Sequence, residues 1–372
     1  MKMRYTARMN KQSLRKQVAL GGLFLLVVLA GAYSFVSAFI TPKPPQLSVV
    51  NVAEVGELTN PSTGYILRDG GASVPLGDKI LWMFGDTLFA RKSVDDKSNG
   101  RSNTAAYSTY ANPTQLSEPL DKNGVPYQFI DFNAEELAYN RASGKPDERY
   151  AIWPGFMVPE SKDSALVFYD RLKVHPGYLN YEGIGTGVAR VRAGETKADR
   201  LVDNLFTGKG TRFEHAYVQR DGYTYLYGCD IVAGSLESYC RVARVRTGDI
   251  LNRDKYSFWT GSAWVADLAQ SKAVVPGSTS GFSVMYSESL KSYVSVKVPA
   301  FSKIIELRTA QRPEGPWSTP VTAYTAPSGI YAAYLHPELS KDNTLSISYY
   351  RDEGNWKGYV HLISVEVKAD SK

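Results

Sequence analysis

Residues 67–89, LRDGGASVPLGDKILWMFGDTLF, decide how this chain is to be read. The stretch is strand-like, with Gly and Asp clusters marking tight turns on either side of the apolar run Ile80-Leu81-Trp82-Met83-Phe84. Twice it places an aspartate where a buried strand would favour an aliphatic residue, at Asp69 and at Asp86. Asp69 opening a DGG turn and Asp86 capping a GDT turn are ordinary loop chemistry. The other reading is a working pair of carboxylates, which a hairpin can bring together from seventeen residues apart, one on an inner strand and one at the end of its neighbour.

The texture of this stretch continues along the chain. SALVFYDRL, GIGTGVARVRA, HAYVQRDGYTYLYGC, YCRVARVRT, FSVMYSESLKSYVSVKV, KIIELRTAQ, TLSISYYRD and GYVHLISVEV are short runs rich in Tyr, Val, Ile, Phe and Trp between Gly, Asp, Asn, Ser and Pro clusters. No amphipathic helix stands out; short helical turns are expected at 133–139 and 265–270. The class is therefore all-β. A unit of strand, turn, aromatic strand and a strand ending in an Arg-bearing ARV or LRT sequence recurs every ~40–60 residues, the size of a four-stranded propeller blade. About five such units fit between residues 55 and 368, which predicts a five-bladed β-propeller; a sandwich of similar strand count explains the repeats less well.

The start of the chain is different in kind. Lys2, Arg4, Arg8, Lys11, Arg15 and Lys16 precede an uncharged run, VALGGLFLLVVLAGAYSFVSAFI, over residues 18–40. At 1.5 Å per residue this run is long enough to cross a hydrocarbon core of about 30 Å. Basic residues before it and no acidic ones orient residues 1–17 toward the cytoplasm and the remainder outward, periplasmic or at the cell surface. This is a single-pass signal-anchor; the alternative is a secreted chain after signal cleavage near Val36-Ser37-Ala38. Residues 41–54, beginning TPKPPQ, read as an extended linker, and 55–368 as the folded domain. The formal charge of +6 is concentrated before residue 18, and no basic patch beyond it argues for nucleic acid.

The two cysteines, Cys229 and Cys240, flank the turn of a predicted hairpin in the outward part, where a disulfide is expected; two free buried thiols are the alternative. No cofactor or metal is expected, since ligands at zinc spacing and a dense acidic loop are both missing from the sequence. In a propeller the inner strands line a central channel. The segments TGYILRDGGAS, YAIWPGFMVP, FEHAYVQ, SGFSVMYS and SGIYAAYLHP are the inner-strand candidates, projecting Asp69, Trp153, Glu214, His215, Ser283 and Tyr334 or His336 toward one region.

At these motifs the chain resembles a known family. LRDGGASVPLGDKILWMFGDT (67–87), RSNTAAYS (101–108), FEHAYV (213–218), YLYGC with YCRVARV, FWTGSAW (258–264), SGFSVMY (280–286) and IELRTAQRPEGPW (305–317) are similar to the domain of unknown function 4185, associated with glycoside hydrolase family 183 and endo-D-arabinanase activity. The resemblance implies an extracytoplasmic hydrolase of furanose polysaccharides, with arabinan-containing glycan as partner and Asp69 and Asp86 catalytic. Glycosidic cleavage needs one carboxylic acid to protonate the leaving oxygen and one carboxylate as base or nucleophile; Glu214 is the third candidate, as acid or as a neighbour that tunes a pKa. Arg68, Arg101 and Asn103 are expected to bind sugar hydroxyls, Arg68 alternatively pairing with one of the aspartates. Trp153, His215, Tyr217, Tyr286, Tyr331 and Tyr334 are expected to contact sugar rings. The competing reading is a non-catalytic carbohydrate-binding or envelope scaffold propeller; a phosphorylase or transglycosidase is the third.

Overall fold

The computed structural model describes residues 43–177, 180–207, 211–233, 235, 237–355 and 357–370. The basic tail and the apolar run of 18–40 lie outside them. No helix among the described residues is long and apolar enough to cross a membrane.

From Pro44 onward the chain is one compact unit built of antiparallel strands. A first group comprises β2 (Tyr65–Leu76), β3 (Lys79–Phe89), β4 (Gly100–Arg101) and β5 (Thr104–Ser108), edged by a bridge from Tyr107 to Ser117. The second is β6 (Arg149–Ser161), β7 (Ser164–Val174), β8 (Tyr181–Arg192) and β9 (Asp199–Thr207). The third runs β10 (Ala216–Arg220), β11 (Tyr223–Ile231), β12 (Ser238–Arg246), with β13 (Ser257–Trp259), β14 (Trp264–Val265) and β15 (Ala273–Gly277) beside β12. The fourth is β16 (Phe282–Ser287), β17 (Ser292–Lys297), β18 (Ile304–Ala310) and β19 (Val321–Thr325). The fifth is β20 (Ile330–Leu335), β21 (Thr344–Gly354) and β22 (Lys357–Ala369), completed by β1 (Leu47–Glu57), which zips antiparallel along β22 from Leu47 opposite Ala369 to Glu57 opposite His361. A parallel bridge from Leu67 to Gly358 joins the first group to the fifth.

The innermost strands β2, β6, β10, β16 and β20 touch their neighbours in a closed ring. All five are the segments expected to be inner strands. Five apolar clusters fill the five gaps between consecutive groups. This is the architecture of a β-propeller, and it explains the unbroken apolar run of β3: Ile80, Trp82 and Phe84 face the gap toward the fifth group, Leu81 and Met83 the gap toward the second. Period-2 alternation here sends side chains into two cores instead of core and solvent. Each such fully buried aliphatic or aromatic side chain contributes about 1.5–3 kcal/mol.

Three expectations are corrected. The linker expected over 41–54 gives way to strand at Leu47, because Leu47, Val49 and Val52 pack on the cluster between the fourth and fifth groups. The turn expected at 133–139 is a full helix α1 (Ala134–Ser143), started by Asn133, whose side chain caps the Glu136 amide while Glu136 caps the Asn133 amide, and stopped by Gly144 at φ 61°. The turn at 265–270 is confined to a single 3-10 turn, Leu268–Gln270. The hairpin of β11 and β12 sets Cys229 directly opposite Cys240, and the two form a disulfide.

Candidate active site

Asp69 owes its position to the two glycines that follow it. They do not make a turn; they bulge β2 against β3, with register breaks at 68/70 and 70/72, and adopt φ 92° and 110°. A Cβ on Gly71 would stand 2.6 Å from Val360 Cγ1, so only glycine fits this approach. The bulge re-aims Asp69 so that its carboxylate packs beside Gly85, next to Asp86 on β3. Tyr331 of the neighbouring inner strand β20 turns its hydroxyl toward it. Burial, and then the charge of Asp86, push Asp69 up to about 7, against the opposing pull of Tyr331 and the Gly70 amide.

Asp86 accepts two hydrogen bonds from Arg149 Nη2, at 3.1 and 2.9 Å. Its side chain keeps 30% of its exposure and that of Arg149 24%, so the pair lies in a cleft that solvent reaches. Burial raises the Asp86 pKa and Arg149 opposes the rise. Trp153 of β6 turns its indole N–H toward Asp86 without completing a hydrogen bond of good geometry.

A second carboxylate pair lies one step round the ring. Trp153 sits opposite Asp170 in the pairing of β6 with β7, and Tyr181 packs edge-on against its ring at 5.2 Å. Glu214, at the entrance to β10, presses its backbone against β6: a Cβ on Gly155 would lie 1.6 Å from the Glu214 carbonyl oxygen, so Gly155 is required there. Arg212 Nε stands 3.1 Å from Asp170 Oδ1 and 3.8 Å from Glu214 Oε1. Thr186 Oγ1 donates to Glu214 Oε2 at 3.1 Å. Asp170 and Glu214 are buried; desolvation and then the charge of Glu214 raise the Asp170 pKa well above the usual carboxylate range. Asp170 Oδ1 and Arg212 Nε meet as an ion pair without a well-aligned hydrogen bond, and the buried Trp153 Nε1 has no hydrogen-bond partner among the described residues.

The other expected site residues divide. His215, Tyr217, Tyr286 and Tyr334 line, with Ser283, a cavity of about 320 Å³ among the inner strands. His215 is neutral at pH 7, its pKa lowered first by burial, and its Nδ1 accepts from the Cys229 amide at 3.3 Å. His336 is fully buried against Trp82 and hydrogen-bonds to Ser73, outside the cavity lining.

Three residues do not belong to the cleft. Arg68, expected to bind hydroxyls or to pair with an aspartate, is 2% exposed, pairs with Glu118 at 2.5 Å and lies 3.7 Å over the Phe84 ring. Arg101 donates to the Pro126 carbonyl and to Asp96 in the loop beyond β3. Asn103 is fully buried, accepting from the Ile130 amide and donating to the Ile152 carbonyl, which ties the first group to the second. All three spend their polar groups on the fold. Sequence reasoning overlooked Asp170, although a charged Asp170-Arg171 pair inside the apolar SALVFYDRLKV was a readable signal. Arg212, two residues before Glu214, was readable as a partner for that carboxylate at the strand entrance, and it stands 3.8 Å from it; Arg149 and Tyr181 carried no signal.

The class defined so far is a β-propeller with two carboxylate pairs on three neighbouring groups of strands, linked through Trp153. Residues 56–364 match the family described as "Domain of unknown function (DUF5005)", and the chain belongs to that family. This is a different description from the family expected from the motifs. No curated protein sequence matches the chain. Among solved structures, a candidate hydrolase from Bacteroides ovatus superposes with a TM-score of 0.60 at 17% identity, covering 81% of this chain and 86% of that one. Zg3597, a family 117 glycoside hydrolase of the marine bacterium Zobellia galactanivorans, gives 0.50 at 12%, covering 87% and 90%. An exo-beta-1,3-galactanase from Phanerochaete chrysosporium gives 0.51 at 11%, covering 84% and 64%. At these identities the likeness is one of fold.

Proposed function

We propose that the protein is a glycoside hydrolase acting on a polysaccharide in this cleft. The observation that carries the reading is a set of four carboxylates on three neighbouring groups, with Arg149 on Asp86, Arg212 between Asp170 and Glu214, and Trp153 linking the two pairs. The unpartnered Trp153 indole N–H beside them suits a ligand rich in hydroxyls, and two of the proteins that share the fold are described as a family 117 glycoside hydrolase and an exo-beta-1,3-galactanase.

Roles follow from charge. Like charges held close in a buried site cannot all ionise, so each pair retains a proton until its own pKa is passed. The Asp170–Glu214 pair, where burial and the charge of Glu214 raise the Asp170 pKa well above the usual carboxylate range, serves as acid to the leaving oxygen. The Asp69–Asp86 pair loses its proton near pH 7 and supplies the carboxylate that assists water or attacks the anomeric carbon. The substrate is an arabinofuranose polymer, D-arabinan first, cleaved internally. The site is extracytoplasmic and tethered to the membrane through residues 18–40, a reading supported by the basic tail ahead of that run and by the Cys229–Cys240 disulfide.

The test is incubation of the purified full-length protein with D-arabinan-containing glycan, L-arabinan and galactan, with Asp69→Asn and Asp86→Asn as controls. Oligosaccharides released from D-arabinan by the wild type and lost in both variants are expected. Release from another polymer alone would move the substrate; no release from any, with both variants folded, would make the protein a binding propeller.

A further inference from the structure

Helix α1 lies in the long connection between β5 and β6, and its only buried residue is Glu136. A helix with no apolar face is not there to build core. It is fastened by ions instead: Arg171 Nε of β7 donates to Glu136 Oε1 at 2.9 Å and Arg200 Nη1 of β9 to Glu136 Oε2 at 2.6 Å. Tyr139 packs edge-on against Tyr150 at 5.2 Å, under the Lys173 ammonium at 4.4 Å. The helix is thus fixed to the second group at both its start and its last turn.

From that platform Asn140 reaches the first residues of β6. Its Oδ1 accepts from the Tyr150 amide at 2.7 Å and its Nδ2 donates to the Tyr150 carbonyl at 3.2 Å, the two bonds that a neighbouring strand would supply. The residue before Tyr150 is Arg149. The short turn after the helix finishes the job: Arg149 Nε donates to the Pro146 carbonyl at 3.0 Å, leaving Nη2 to straddle the two oxygens of Asp86. The ionisable groups facing Asp86 are Asp69 on β2, Arg149 on β6 and Tyr331 on β20, and Arg149 is the cation among them.

We propose that Asn140 is a positioning residue of the site, clamping Tyr150 so that helix α1 holds the Arg149 guanidinium on Asp86. The inference rests on the catalytic reading of Asp86 for its use, but not for its test. Removing the amide leaves Tyr150 free to shift and Arg149 free to swing into solvent, and Asp86 then loses the charge that favours its ionised form.

The experiment is a carboxyl-carbon NMR titration of the full-length protein labelled at aspartate, the Asp86 signal being assigned by its loss in Asp86→Asn. An opposite charge at this range moves a carboxyl by about 1–3 pKa units, so Arg149→Ala is expected to raise the Asp86 midpoint by that amount and Asn140→Ala by about one unit. Asn140→Gln, which keeps the amide but displaces it by one methylene, is expected to fall between wild type and Asn140→Ala. Exposed Glu135, on the same helix, changed to Gln leaves the midpoint in place. Thermal melts identify any variant that fails to fold, and Asn140→Gln then carries the comparison. An unmoved Asp86 midpoint in a folded Asn140 variant, or in Arg149→Ala, would overturn the proposal. Should the protein cleave no glycan, the titration still reads the clamp, so failure of the catalytic reading and failure of this one are separate results.

Discussion

The two carboxylate pairs of the cleft have the same parts and opposite construction. Each sets two acids side by side with an arginine on at least one of them. In the first, Arg149 makes two good hydrogen bonds to Asp86 in a place where solvent enters, and a clamp from helix α1 holds it there. In the second, Arg212 stands between Asp170 and Glu214 without a well-formed hydrogen bond to either, both acids are buried, and the neighbouring histidine is neutral. A carboxylate that receives directed hydrogen bonds is stabilised as the anion, while one that merely shares a cation in a dry place keeps its proton. The difference teaches how a base and an acid of the same chemical type would be told apart under the proposed function.

The largest effect expected from this division is on the acid side. Glu214→Gln and Asp170→Asn should each lower kcat by about 10²–10⁴-fold with little change in KM, as loss of general acid catalysis does. Equal tolerance of both changes would remove the second pair from the reaction.

The arginines should then separate the pairs by pH. Asp69, raised to about 7, places the acidic limb of kcat/KM near neutral, with activity rising as its proton leaves. Arg149→Ala should move that limb upward by about 1–3 units, while Arg212→Ala should leave it and move the basic limb, because the proton of the second pair is held more tightly without its cation. Movement of the wrong limb in either variant would break the comparison.

The smallest effect is on stability. The Asp69 pKa is higher folded than unfolded, so between its ordinary 3.8 and about 7 the native state binds the extra proton, and stability falls as pH rises through that window. Asp69→Asn removes the cost of ionising Asp69: Tm should rise by about 1–2 °C at pH 8, for about 1 kcal/mol, and stay unchanged at pH 3. A lower Tm at pH 8 would show that Asp69 stabilises the fold.

The propeller was legible because its physics is written locally. An apolar run such as that of β3 has no polar face, which marks a strand with cores on both sides, and the five inner segments all begin near turn residues. Asp69 and Asp86 drew notice for the same reason, as charges inside such strands, and Glu214 as a charge at a strand entrance. That cue also misled. Arg68 is a charge in a strand too, but its partner Glu118 lies fifty residues further on in a loop, and nothing local announces it. Asn103 answers carbonyls and amides of another group in the same way. Arg149 was invisible because its role depends on where a helix places the start of β6, a tertiary fact. The strand at Leu47–Glu57 was read as linker because its partner is the far end of the chain.

The most direct measurement is a crystal structure of the Glu214→Gln variant with a D-arabinan oligosaccharide bound. The account predicts a glycosidic oxygen within hydrogen-bonding reach of Asp170 or Gln at 214, and the adjoining anomeric carbon facing Asp69 and Asp86. An oligosaccharide seated only in the cavity beside Tyr217 and Tyr286, with the four carboxylates untouched, would contradict it.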